Sequence, residues 1–288
     1  SESSIQVLRE RLGSDAHIQT IKFGEKIDQN GVAVSLHPAG HLLGSSQIRI
    51  EYKGEVWVMT GDYKIEPDIT CEPFELVKCN TFITESTFGL PIYHWKPQAE
   101  IFSDIHEWRA ENIERGRTSV LFAYPLGKSQ RLLAGVDPDL GPIVLHGSIN
   151  RMTNAYRRSG IAMPETKHRD DVDLKKEKCI LVIAPPSTQG TVWLRKFGAV
   201  STAFASGWMA MRGTRRRRAI DRGFALSDHA DWPSLLSTIE ATGAEHVYVT
   251  HGYTTILAKY LNEKGIRADT IATHFEYEED ESEKVDEA

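Results

Sequence analysis

The chain has 288 residues, 40% of them hydrophobic and 26% charged, with a formal net charge of -6. That length suffices for one large or two medium domains with an ample core, and the composition excludes a fibrous or disulfide-framework protein. No apolar run approaches the length of a membrane span and the N-terminus carries no signal-peptide pattern, so no membrane partner is expected.

The charge is unevenly spread. Residues 276–288 hold eight acids and one lysine. That stretch reads as a disordered, solvated acidic tail, and the remainder is close to neutral. Six arginines crowd into residues 211–222: Arg212, Arg215, Arg216, Arg217, Arg218 and Arg222. Such a cluster is either a solvated loop or a rim that binds backbone phosphates, and its position just before His229 favours the rim. The three cysteines, Cys71, Cys79 and Cys179, show no Cys-x-x-Cys spacing. Reduced thiols and a cytoplasmic location are expected.

In chain order, residues 1–12 read as a helix closed by Gly13. Residues 18–23 and 32–36 read as strands around a turn at Asp28-Gln29-Asn30-Gly31. Next comes a hairpin, Gln47 to Tyr52 and Glu55 to Thr60, around Lys53-Gly54. It is preceded by His37-Pro38-Ala39-Gly40-His41 and followed by Gly61-Asp62-Tyr63. Residues 81–84 form a short apolar strand running into Glu85. The character then changes to strands alternating with helices from about Pro97 to Ala199, which predicts a parallel sheet in a separate α/β layer. Within it, Ser119 to Ala123 opens through Gly127 into a helix carrying Lys128, Ser129 and Arg131, a helix start suited to an anion. It is not a Walker loop, because the leading glycine and its spacing are missing. After residue 200 a strand, a helix capped by Asp231 and a strand ending at His251 follow.

His41, Asp62, Glu85, His229 and His251 each follow a short apolar strand. Any one alone reads as an ordinary loop residue. As a set of imidazoles and carboxylates on strand ends, they form the pattern of a metal hydrolase, with zinc the fitting ion. His37, four residues before His41, reads either as part of this set or as its buttress.

The strings HPAGHLLGS, TGDYK, ITESTFGLP, FAYPLGKSQR, SGWM, GFALSDHADW and VTHG, in that order, resemble the β-CASP branch of the metallo-β-lactamase superfamily, a group of nucleic-acid-processing nucleases. Within it they are most similar to the bacterial ligase-associated DNA damage response exonucleases, which are related to mRNA 3′-end processing factors. The resemblance implies an α/β fold, a metallo-β-lactamase αββα sandwich with an inserted α/β β-CASP cap. Its parts would be residues 1–96 and 200–275 for the lactamase domain, 97–199 for the cap and 276–288 for the acidic tail. It implies two zinc ions, with His41 a ligand of the first, Asp62 the bridging carboxylate and His251 a ligand of the second. His229 would lie beside the scissile phosphate, oriented by Glu85, so that Asp62, Glu85 and His229 carry the catalysis. Lys128, Ser129, Arg131 and the arginine cluster would grip a single strand of DNA or RNA, and a DNA ligase and helicase repair system is the implied company.

One departure is expected to matter. The family's H-x-H-x-D-H loop, which supplies four ligands, is absent, and only His17 precedes His37. The sandwich is thus expected to lack its first strands. Three ligands shared between two metals imply weak or partial zinc occupancy, and a chain that cleaves poorly by itself or serves only as a nucleic-acid-binding remnant.

Overall fold

The computed structural model describes residues 1–174, 176–211, 213 and 219–272. The acidic tail, Arg212 and Arg215 to Arg218 lie outside the described residues. In chain order the strands are β1 (Lys26–Gln29), β2 (Val32–Pro38), β3 (Ser46–Tyr52), β4 (Glu55–Met59), β5 (Thr81–Ser86), β6 (Thr118–Phe122), β7 (Ile143–Leu145), β8 (Leu181–Ala184), β9 (Val200–Ala205), β10 (Arg222–Phe224), β11 (His246–Gly252) and β12 (Arg267–Thr270). They divide between two mixed α/β units. One comprises residues 1–94 and the chain from Asp228 onward, the other residues 95–227.

The first unit is built on a seven-stranded sheet of order β1-β2-β3-β4-β5-β11-β12. β1 to β4 are antiparallel, and β4, β5, β11 and β12 pair parallel. The pleat decides its faces. Val58, Phe82 and Val247 lie in register across β4, β5 and β11. They pack on Leu235, Ile239, Leu257 and Leu261 from the helices Trp232–Thr242 and Thr254–Glu263. On the other face, Ile48, Ile50, Trp57 and Met59 are 39–45% exposed. The expected strand at residues 18–23 is irregular. The strand lies after Gly24, where Lys26 to Gln29 pairs with β2.

The second unit is an all-parallel five-stranded sheet of order β10-β9-β6-β8-β7. Parallel strands buried on both faces read as unbroken apolar runs, and Ser119-Val120-Leu121-Phe122 is one. Leu121 joins Ile101, Ile105, Trp108 and Leu133 on one side, while Val120 and Phe122 join Val182, Phe197 and Phe204 on the other. The boundary expected near residue 199 lies instead at Ser227. The reason is pairing: β9 hydrogen-bonds to β6 and β10 to β9, which places residues 200–227 in this sheet.

Candidate metal and catalytic site

Three strand ends of the first unit and the loop that returns at Asp228 supply the site. β2 runs into the loop that carries His41. The backbone of that loop is closed by Ala39 N–H donating to Ser45 O (3.0 Å), and the Ser45 hydroxyl accepts from His41 N–H and Leu42 N–H (3.1 Å each). β4 delivers Asp62 two residues after Thr60. β5 carries Glu85 as its penultimate residue, 2% exposed. The chain returning at Asp228 brings His229 just ahead of the Asp231 cap, whose carboxylate accepts from Ser234 N–H at 3.0 Å. Ala230 N–H donates to Tyr63 O at 2.7 Å, tying this return loop to the Asp62 loop.

Among the described residues, His41, Asp62 and His229 place one donor atom each within 4.8 Å of the others. His41 Nε2 lies 3.9 Å from Asp62 Oδ2, and His229 Nδ1 lies 4.0 Å from Asp62 Oδ1. Both gaps are too long for hydrogen bonds; that between His41 and Asp62 is short enough for a cation with bonds of about 2.0–2.2 Å to bridge, while His229 Nδ1 is engaged by Glu85. Two imidazoles with one carboxylate are a donor set that zinc accepts, so the residues present fit the ion the sequence implied. The two rings lie 4.8 Å apart at 57°.

Each imidazole is oriented from behind. His41 Nδ1 donates to Asp228 O at 2.8 Å, which leaves Nε2 as the lone-pair nitrogen facing Asp62. Burial, the largest influence, and the charge of His229 hold the His41 imidazole below its ordinary value, against the opposing pull of Asp62 and Asp228. His229 Nδ1 meets Glu85 Oε2 at 2.9 Å and Oε1 at 3.1 Å. Glu85 also accepts from Tyr63 N–H at 2.8 Å and from the Thr87 hydroxyl. Burial works to raise the Glu85 carboxyl, but His229, Thr87 and Tyr63 together hold it below the usual carboxylate range.

The expected ligand His251 falls outside this group of three. It sits at the end of β11 in a left-handed conformation (φ 55°), where the register with β5 shifts between Thr250 and Gly252. Its carbonyl accepts from the Ser86 hydroxyl, so it shares the strand-end edge with Glu85. The His37 ring bonds Glu75 and Ser35, each at 3.0 Å, and is not one of the group of three. Sequence reading missed the carbonyl of Asp228, Tyr63 N–H and Thr87 as partners. A backbone group leaves no residue-type signal, although Asp228 and Thr87 lie inside the quoted strings.

In the second unit, Lys128, Ser129 and Arg131 are all buried. The Ser129 hydroxyl donates to Tyr124 O at 2.6 Å. The Arg131 guanidinium bonds Gln98 Oε1 and Ser227 O, and the Lys128 ammonium sits 5.1 Å from the centroid of the Tyr124 ring. The first amides of this helix are bonded within the loop, Lys128 N–H to Leu126 O and Ser129 N–H to Tyr124 O. Arg222, the described member of the arginine cluster, is exposed at the start of β10.

No protein-family model matches the chain. It is 34% identical over 271 residues to a probable DNA ligase of Opitutus terrae, an alignment covering 93% of this chain and 26% of that protein. It is 29% identical over 124 residues to cleavage and polyadenylation specificity factor subunit 3 of Dictyostelium discoideum, 42% of this chain and 16% of that protein. Over 121 residues it is 28% identical to the RNase aCSPSF2 of Saccharolobus solfataricus, 41% of this chain and 24% of that protein. The chain therefore spans about a quarter or less of the length of these relatives. Their names, nucleases among them, support the β-CASP metallo-β-lactamase resemblance carried by the motifs.

Proposed function

We propose that this chain carries the catalytic edge of a zinc-dependent phosphodiester hydrolase acting on nucleic acid. The observation that carries it is the convergence of His41, Asp62 and His229 with the buried Glu85 behind His229. His41 and Asp62 would hold metal, and His251, on the same edge, would complete a second ligand set. Bound zinc supplies Lewis acidity and neutralises phosphate charge. The chain's own groups do the rest. Asp228 O fixes the tautomer of His41. Glu85 fixes Nδ1 of His229, which assigns proton delivery to the leaving oxygen to Nε2. The arginine-rich segment and the Lys128 loop would attract the phosphate backbone, with the buried Ser129 and Arg131 shaping that loop.

Within that class the reading is an exonuclease acting on DNA in repair, alongside a ligase and helicase, supported by the motif strings and the ligase-named relative. RNA 3′-end processing is the alternative supported by the relatives named for RNA. A second reading of His229 has its own support: its membership of the three-residue group makes it a metal ligand rather than a proton donor. The test is cleavage of matched single-stranded DNA and RNA with added zinc or manganese, beside Asp62→Ala. Metal-dependent cleavage lost in Asp62→Ala supports the proposal. Nucleic-acid binding without cleavage or bound zinc would make the chain a binding remnant.

A further inference from the structure

Resting on the reading of His41 and Asp62 as metal ligands, we infer that Lys64 and Asp68 are a positioning pair that sets the spacing of those two side chains. Both are buried, their side chains 3% and 6% exposed, and Lys64 Nζ lies 2.8 Å from Asp68 Oδ2. Lys64 Nζ also donates to Glu66 O at 2.9 Å. The other Asp68 oxygen accepts from Thr70 N–H at 2.7 Å and from the Thr70 hydroxyl. A charge taken out of water persists only when paired and hydrogen-bonded, so this pair dictates one closed course for residues 64–70.

That course decides where both ligands stand. At its start, Lys64 is two residues from Asp62, and its N–H donates to Ala39 O at 3.1 Å, two residues before His41. The Lys64 carbonyl packs so tightly on Gly40 (φ +72°) that an added Cβ would sit 2.3 Å from it. At its end, the chain runs back along the His41 loop. Cys71 Sγ donates to Gly40 O at 3.4 Å, Glu72 accepts from Gly44 N–H at 3.0 Å, and Glu75 N–H donates to Pro38 O at 3.1 Å. The segment from residue 64 to residue 75 therefore clasps the His41 loop from both sides, and the Lys64–Asp68 pair is the buried tie inside that clasp.

The experiment compares the full chain with a shape-keeping apolar pair, Lys64→Met with Asp68→Leu, and with Asp68→Asn, which keeps an acceptor for Thr70. Three quantities are measured: thermal midpoint, amide hydrogen exchange, and zinc affinity by titration with zinc alone. In the apolar pair, exchange at the amides of residues 64 and 44 is expected to quicken more than tenfold, while amides at Phe82 and Val247 keep their protection. Zinc affinity is expected to fall by about 10–100-fold, the usual size for an outer partner of a metal site. Asp68→Asn serves the same comparison if the pair does not fold. A folded variant with unchanged exchange at residues 64 and 44 and zinc affinity within twofold of the parent overturns the inference. If the parent chain binds no zinc, the metal reading fails separately, and exchange at residues 64 and 44 alone decides the positioning role.

Discussion

His229 Nδ1 and Glu85 Oε2 lie 2.9 Å apart, although 144 residues separate them in sequence. A carboxylate this buried, with both oxygens engaged, has one evident use, which is to hold an imidazole in a single orientation. Replacing Glu85 by Gln keeps the shape but turns one acceptor into a donor. The expected outcome is a loss of about 10²–10⁴ in kcat, the range for general acid catalysis, with zinc content unchanged. His229→Ala separates the two roles of His229. As a proton donor, its loss lowers kcat and spares zinc content. As a ligand, its loss lowers zinc content as well, which metal analysis of the purified variant reads directly.

The same groups set a pH dependence for the zinc-free chain. The folded-state pKa of His41 is below its ordinary value of 6.5. The unfolded chain therefore takes up a proton there before the folded chain does, and the contribution to stability present above about pH 6.5 is lost as pH falls through the folded value. Glu85, held below its ordinary 4.5, adds a second loss that begins only below about pH 4.5. Thermal midpoints should fall between pH 7 and 5.5, and His41→Asn should flatten that first limb. An unchanged slope in His41→Asn would assign the loss to other groups.

Gly252 tests how closely the strand ends must approach. Its φ is +82°, and a Cβ there would stand 2.4 Å from Ser86 O and 2.6 Å from Thr87 Cα. Both neighbours are adjacent to the groups around Glu85. Gly252→Ala is expected to destabilise the first unit by about 1–3 kcal/mol through overpacking and left-handed strain. Chemical denaturation measures this. A neutral effect would show that the edge between β5 and β11 yields more easily than its geometry implies.

Salt dependence checks the nucleic-acid face. If the arginines from Arg212 to Arg222 meet phosphates, the logarithm of affinity for a single strand falls linearly with the logarithm of salt, by about 0.7 per contacting residue. Replacing Arg215 to Arg218 with alanine should make that slope shallower, as fluorescence anisotropy titrations at several salt concentrations would report. A slope equal to the parent's removes these residues from the interface.

The short apolar strands were legible because alternation and turn residues announce themselves locally: Gln47 to Tyr52, Lys53-Gly54 and Glu55 to Thr60 became β3, a turn and β4. The parallel sheet was legible from strands alternating with helices. Its extent was not, because the pairing of Val200–Ala205 with β6 is a contact across some eighty residues that no local pattern encodes. At the site, the residues that converge were nameable from their strand-end placement. Which of them converge most closely was not. His251 ends β11, where the register with β5 shifts between Thr250 and Gly252, whereas His229 arrives on the loop that resumes the first unit at Asp228. The buried tie between Lys64 and Asp68 was also invisible, since two charges four residues apart ordinarily signal a solvated turn.

The open face of the first unit's sheet yields the last prediction. Ile48, Ile50, Trp57 and Met59 lie on neighbouring strands in direct register, Ile48 opposite Met59 and Ile50 opposite Trp57. All four are 39–45% exposed. Trp57 also stacks on Tyr248 of β11, ring centroids 6.2 Å apart at 25°, so the apolar surface continues across β5. Contiguous apolar patches of this kind drive association when nothing covers them. A polypeptide of residues 1–288 should therefore self-associate with rising concentration, visibly in sedimentation velocity. Because these side chains are far from fully buried, a charge there gives up little packing. Ile50→Lys with Trp57→Glu is expected to cost at most about 1 kcal/mol in the isolated chain, since surface changes usually stay within about 0.5 kcal/mol each. The same pair should shift the population strongly towards monomer. If the double variant associates like the parent, another surface drives assembly. If it unfolds, the face is already covered by packing within the chain.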